Sequence, residues 1–473
     1  MSTPAKITVS GVPEGYDATA LLDGSAASGV PVVYVARDDK ALRAMHEALA
    51  FFAPTASVVE FPAWDCLPYD RVSPNSAISA ARMAALAALS GPLAGKPIIV
   101  LTTLSAAMQR VPARALIAGA AFSASVGERV NEEALRAFLV RMGFTQAPSV
   151  SEPGDYAIRG GIIDIYPPGQ SGPVRLDFFG DTLDGARRFD VETQRTTQKL
   201  ERVDLAPVSE VILDDAAITR FRQNYRIEFG AAGTDDPLYE AVSAGKKHAG
   251  AEHWMSFFYD DLETVFDYLP GASVVLADQI DAARSARWET IADQYDNRRE
   301  AMLSKGRIDS VYKPAPPEGL YLDDAGWDAQ MAKHRVLALA VLPQATGPGV
   351  IDKGGRIGRD FAPERRSEQL SLFGALKDHI TAERRAAQVV VASYSEGARE
   401  RLEGLLADEG MEGTTRIADW RDVPEGVGGV FLTVWPLDSG FKGMFQGAVL
   451  SVISEQDVLG DRLVAQPKKR RRA

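Results

Sequence analysis

Three features of the chain predict a multi-domain α/β protein. The first hundred residues alternate apolar β runs with helical periodicity. Near Ala118 the pattern changes to one capped helix followed by β runs joined only by turns. A Pro/Gly-rich connector, Leu342-Pro-Gln-Ala-Thr-Gly-Pro-Gly349, then precedes a second β/α unit. At 473 residues the chain is too long for one core, and ~150 residues per domain suggests about three.

The elements follow in order. Val32-Val-Tyr-Val35 reads as a buried strand, Ala41 to Phe51 as a helix with Leu42, Met45 and Leu49 on one face, and Val58-Val-Glu-Phe61 as the next strand. A helix around Ile78 to Leu89 and the strand Ile98-Ile-Val-Leu101 complete a βαβαβ unit, hence a parallel sheet with helices on its faces. Asn131 caps a helix running to Met142 and stopped by Gly143, opening a small α+β segment that ends near Ala206. From Val211 to about Leu342 helical patterning dominates, with aromatic residues at Trp254, Phe257, Phe258, Tyr259, Phe266 and Tyr268. After the connector, Val389-Val-Val-Ala392 leads into a helix from about Glu396 to Gly410, and Ala448 to Ile453 is expected as a closing strand.

Composition narrows the function. A formal net charge of −12 argues against a chain that wraps nucleic acid by itself, since neutralising phosphates takes clustered Lys and Arg. The concentrated basic run is Pro467-Lys-Lys-Arg-Arg-Arg-Ala473, expected as a disordered tail with weak, non-specific DNA contact as the alternative. One cysteine, Cys66, permits no internal disulfide and no thiolate cluster; it reads as a small, partly buried hydrophobe in a reducing compartment. With no long apolar run and no signal core, a cytoplasmic protein without membrane contact is expected.

A parallel β/α chain invites a test for nucleotide hydrolysis. The phosphate loop G-x-x-x-x-G-K-[ST] is absent; the nearest glycine loop, Gly24-Ser-Ala-Ala-Ser-Gly29, is followed by Val30-Pro31 and lacks both the Lys and the Mg²⁺-binding hydroxyl. The acidic pair expected at a strand end has its nearest counterpart in Asp278-Gln279, where glutamine cannot act as a base. His46, His248, His253, His334 and His379 show no metal-binding or catalytic spacing, and surface or satisfied core roles are expected for them.

The informative stretch is Arg175-Leu-Asp-Phe-Phe-Gly-Asp181. Strand period puts Leu176 and Phe178 on a core face and Arg175, Asp177 and Phe179 on the other. An Arg beside a Phe on a solvated face has the composition of a protein-docking hot spot; the alternative is a second small core that buries Phe179.

The runs Gly154-Asp-Tyr-Ala-Ile-Arg-Gly-Gly-Ile-Ile-Asp-Ile-Tyr-Pro167, Arg175 to Asp181 and Arg188-Phe-Asp-Val-Glu-Thr-Gln-Arg195 together resemble the UvrA-binding domain shared by the excision-repair protein UvrB and the bacterial transcription-repair coupling factor, Mfd. Phe61 to Asp70, Glu252-His-Trp254, Leu262 to Pro270, Gly358-Arg-Asp-Phe361 and Ser454 to Arg462 extend the resemblance to about Leu463 and favour the coupling factor's amino-terminal half. In UvrB a long aromatic hairpin follows the Phe61 to Asp70 region; here Arg71-Val-Ser-Pro-Asn-Ser76 runs directly into the next helix.

The resemblance implies a degenerate, discontinuous helicase-like parallel β/α domain in residues 1–118 and 209–341. Inserted in it is a small α+β UvrA-binding domain at 119–208. A linker at 342–349, a C-terminal β/α domain at 350–463 and a basic tail at 464–473 follow. It further implies that Arg159, Arg175 and Phe179 contact UvrA. The two arginines would offer planar donor forks to carboxylates and Phe179 an apolar anchor, with a bulge at Gly160-Gly161 turning Arg159 to the same side as Arg175. Asp177 and Asp181 are expected to be structural or solubilising. Nothing after Leu463 resembles the family's polymerase-interaction, translocase or regulatory domains. ATP, Mg²⁺, RNA polymerase and motor-driven DNA contacts are therefore expected to belong to parts not in this chain. The expected role is a non-catalytic adaptor that docks UvrA; the alternative is a degenerate ATPase-like module that contacts DNA.

Overall fold

The computed structural model describes residues 6–460 apart from 92, 95, 231–235, 304–311 and 368, so the basic tail lies outside the described residues. Three principal sheets organise the chain.

The first is seven-stranded and parallel throughout, in the order Val350–Asp352, Ile7–Ser10, Arg335–Ala340, Ser273–Leu276, Val32–Ala36, Ile99–Thr103, Val58–Phe61. Its central strands are buried on both faces, as apolar runs under flanking helices must be. The helices Asp39–Phe52 and Ser76–Ser90 open on Asp38 and Asn75, whose side chains accept from the Ala41 and Ala77 backbone amides. Two central strands, Ser273–Leu276 and Arg335–Ala340, come from the stretch that reads as helix-dominated, because apolar runs of four and six residues beside long helices carry little period of their own. The edge strand Val350–Asp352 pairs with Ile7–Ser10, so the first residues of the expected C-terminal domain belong to this sheet. The glycine loop expected at Gly24–Gly29 is not a loop: Gly24 lies inside helix Asp17–Ser28, and Gly29 follows its carboxyl end at φ +61°.

The aromatic group of the helical segment divides. Trp254, Phe257, Phe258 and Tyr259 join Phe221 and Tyr225 in one cluster, while Phe266 and Tyr268 pack under the parallel sheet. The last unit is a mixed six-stranded sheet in which Ala448–Ser454, expected to close the chain's β structure, lies inside the sheet between Phe441–Phe445 and Gln388–Ser393. This unit packs on helix Asp39–Phe52, where Phe51 stacks on Trp435 at 4.4 Å between centroids.

The remaining sheet has the order Thr196–Leu200, Thr182–Phe189, Val174–Phe179, Ile162–Ile165, Asp155–Arg159, Thr145–Gln146 and is antiparallel except at its last pair. One face is covered by helix Glu132–Arg141, whose Leu135, Phe138 and Leu139 meet Ile163, Ile165, Val174, Leu176 and Leu183. Asn131 accepts from Ala134 N at the start of that helix, and Gly143 leaves it at φ +87°.

A buried ion pair ties this unit to the parallel sheet. Arg82 of helix Ser76–Ser90 meets Glu210 through two bonds of 2.9 and 2.8 Å, with side-chain exposures of 0 and 1 %. Trp64 Nε1 donates to the same carboxylate at 2.7 Å, and the guanidinium lies 4.3 Å from the Phe61 ring centroid while donating to the Pro62 carbonyl. Each charge is therefore compensated, which removal of either partner would undo.

Candidate functional site: the uncovered face of the antiparallel sheet

The face opposite helix Glu132–Arg141 carries the three expected docking residues. Strand register aligns Ala157, Asp164, Arg175, Arg187 and Lys199 in one row and Arg159, Ile162, Asp177 and Gly185 in the next. Cross-strand partners project to the same side, so Arg159 and Arg175 share this face through regular pairing. No bulge at Gly160-Gly161 is involved: these two residues form a tight hairpin turn between the paired Arg159 and Ile162, with Gly160 at φ +62°. The irregularity lies instead between Asp177 and Phe178, where the register against strand Thr182–Phe189 shifts by one residue.

Phe179 closes the strand, pairs with Thr182 across the Gly180-Asp181 turn, and is 83 % exposed. The alternative of a second core that buries Phe179 is thereby ruled out. Leu176 is buried and Phe178 packs partly on the core side, as strand parity requires.

Arg175 departs from the expectation of a free donor fork. Its Nε and Nη2 bind both oxygens of Asp164 at 2.7 and 2.8 Å, and Nη2 also reaches Gln194 Oε1 at 3.1 Å. The guanidinium lies 4.6 Å from the centroid of the buried Phe189 ring, and the side-chain exposures are 20 % for Arg175 and 4 % for Asp164. The hydrogen bond to Asp164 raises the Arg175 pKa from its ordinary value. The buried aromatic ring on this face is Phe189 instead, lying under the guanidinium of an internal ion pair. A sheet face this narrow has few atoms to cover Asp164, and the bidentate arginine both covers and neutralises it.

Arg159 is the freer cation: it is exposed, donates from Nη2 to the Pro148 carbonyl at 3.0 Å and has no ion-pair partner among the described residues. Asp177 is structural, bound by Arg187 at 2.7 Å. Asp181 is an exposed turn residue whose carbonyl accepts from Val130 N. Sequence reasoning missed Asp164, Arg187, Phe189 and Gln194. The available signal was a lone carboxylate inside Ile162-Ile-Asp-Ile165, which needs a cation from a neighbouring strand.

At the carboxyl ends of the parallel strands, the half-buried Asp278 follows strand Ser273–Leu276, and Gln279 takes φ +61°. Among the described residues no cluster of His, Cys, Asp and Glu has metal-holding geometry, and no helix is long and apolar enough to cross a membrane. Burial pushes the Cys66 thiol up to about 12, so it stays protonated.

Residues 122–210 match the family described as the UvrB interaction domain. Over most of its length the chain is also similar to transcription-repair-coupling factors. It is 30 % identical to that of Escherichia coli K12 over 93 % of the chain and 37 % of the relative, and 27 % identical to that of Haemophilus influenzae over 97 % and 38 %. With the protein of Myxococcus xanthus it shares 33 % identity over 65 % of the chain and 26 % of the relative. The chain thus spans a little over a third of the length of the first two relatives.

Proposed function

Taking as premise that the chain is an amino-terminal, UvrB-homology module of the transcription-repair coupling factor type, we propose that it acts in DNA repair as a non-catalytic adaptor that docks UvrA through residues 119–208. The observation that carries this reading is Phe179. A phenylalanine exposed at 83 % on the end of a rigid hairpin, within the stretch that matches the UvrB interaction domain, has no role in this chain's own core.

In this reading Phe179 is the apolar anchor that enters a pocket on UvrA, and Arg159 offers unpaired donors to a carboxylate beside it. Arg175 contributes by a different route from the one expected of a free fork. Locked onto Asp164 and Phe189, it stiffens the strand that presents Phe179 and leaves little of its guanidinium for a partner. A stiff presenting strand lowers the ordering cost of association.

The absence of turnover is part of the proposal. Gly24 lies inside a helix and Gly29 follows its carboxyl end, where the helix dipole repels phosphate, whereas a phosphate loop uses a helix's amino end. The relatives are named for coupling repair to transcription, and a part in that coupling, at stalled RNA polymerase, is likewise proposed for this chain. Calorimetric titration of UvrA into the wild-type chain and into Phe179→Ala tests the reading: wild-type binding lost in the variant supports it, and equal binding refutes it.

A further inference from the structure

Helix Glu132–Arg141 covers one face of the antiparallel sheet, and its outer side is not the charged surface such a helix usually presents. Ala134, Ala137 and Val140 are exposed there at helical spacing, Val140 at 62 %. Beside them lies a half-open groove of about 500 Å³, within the usual range of ligand clefts. Ala137, Val140 and Phe144 line it together with Val211 and Leu213 from the segment that follows the sheet.

The charges around this apolar floor have one sign. Arg136, Arg141 and Lys247 line the groove, and no Asp or Glu does. In a chain with 64 acidic and 52 basic residues, that set runs against the composition. Arg136 is bound by Glu132 at 2.5 Å on its own helix. Arg141 is exposed and has no hydrogen-bond or ion-pair partner among the described residues. Its place in the last turn meets the negative end of the helix dipole, which accounts for a cation there but not for Lys247 on another segment. Lys247 is exposed, donates to the Gly143 carbonyl at 3.3 Å and has no ion pair among the described residues. The buried Glu252 feels its charge but accepts from Ser73 Oγ at 2.7 Å.

We propose that this groove docks an acidic, apolar segment of a partner protein, with aliphatic side chains on the floor and carboxylates against Arg141 and Lys247. An exposed aliphatic floor asks for apolar side chains, and unpaired cations at its rim ask for carboxylates between them. Nucleic acid fits the groove poorly, because it needs open aromatic faces or a row of cations, and the one aromatic lining residue, Phe144, is 6 % exposed. The lining residues 136 to 141 span more than one helical turn, which suits a segment laid along an open groove better than a fatty acid, whose chain needs cover on all sides. This surface lies on the opposite side of the sheet from Phe179, so the inference does not depend on UvrA docking.

The test titrates a fluorescently labelled twelve-residue peptide of repeating Leu-Leu-Glu-Glu into the full chain, by anisotropy, alongside Val140→Asp, Lys247→Glu and Phe179→Ala. Binding to wild type that weakens with salt, and about tenfold or more in Val140→Asp and in Lys247→Glu, supports the groove. Both changed side chains are exposed, so thermal midpoints should hardly move. Phe179→Ala should bind the peptide as wild type does. The proposal is overturned if the peptide does not bind wild type, or if it binds both groove variants equally well. Loss of binding in Phe179→Ala would place the peptide on the other face and overturn it too. Displacement of the peptide by dodecanoate or by a twelve-residue oligothymidylate would assign the groove to a lipid or a nucleic acid instead. Light scattering that finds a wild-type dimer and a Val140→Asp monomer would assign it to a second copy of the chain.

Discussion

Substituting Phe179→Ala should separate docking from folding. Full burial of a phenylalanine stabilises by about 1.5–3 kcal/mol. With 83 % of Phe179 already in solvent, its removal should cost the fold no more than about 0.5 kcal/mol on that scale. The same side chain, fully covered by a partner, should cost about 2 kcal/mol or more of binding, the usual size of an interface hot spot and roughly a thirtyfold rise in Kd. Arg175→Ala should behave differently. It leaves the Asp164 carboxylate, 4 % exposed, without its cation and uncovers Phe189. Breaking a buried pair from one side costs about 3–5 kcal/mol, and the partial exposure of Arg175 puts the expected loss at the lower end of that range. Thermal denaturation and calorimetric titration with UvrA on the same preparations read both quantities. A Phe179→Ala midpoint that falls as far as that of Arg175→Ala would refute the exposure reasoning. A Phe179→Ala variant that is fully folded and binds as wild type would refute the docking reading.

Other outcomes follow from the same structure. Arg82→Ala should destabilise the chain by about 3–5 kcal/mol, because it strands Glu210 in a dry site, whereas Arg82→Met with Glu210→Leu should recover much of the loss; chemical denaturation of the single and double variants checks this. Burial raises the Asp17 carboxyl to about 7 from 3.8. The folded state therefore favours the protonated form, and stability should fall as pH rises from about 4 to about 7 and level off above. Asp17→Asn should flatten that dependence in denaturation curves at pH 5 and pH 8, and an unaltered slope would count against a buried neutral Asp17. No nucleotide turnover above background is expected with or without DNA; a DNA-stimulated rate abolished by Asp278→Asn would contradict the non-catalytic reading.

Much of the architecture was legible in local pattern. The period of Asp39–Phe52, the cap at Asn131 and the apolar runs at Val32 and Val389 each name their element, because backbone preference and the solvent-facing pattern are set within a few residues. Strand parity sufficed to put Leu176 on the core face and Phe179 on the opposite one, since alternation along one strand needs no knowledge of its neighbours; that Phe179 meets solvent there, while Phe189 under Arg175 is buried, was decided by the fold. The resemblance already implied that residues 209–341 complete the β/α domain begun in 1–118; which strands do so, and in what order, was decided only by tertiary structure. Ser273–Leu276 and Arg335–Ala340 enter the middle of the first parallel sheet, and the edge strand Val350–Asp352 joins it from beyond the connector, because buried strands find partners by register and area rather than by chain order. The state of Arg175 belongs to the same class: a guanidinium reads as free in its own strand, and only a carboxylate eleven residues away on the neighbouring strand shows that it is already bound. Sequence alone determined which residues could dock a partner; the fold determined which of them remain unpaired to do so, because a charge's partner is fixed by cross-strand geometry.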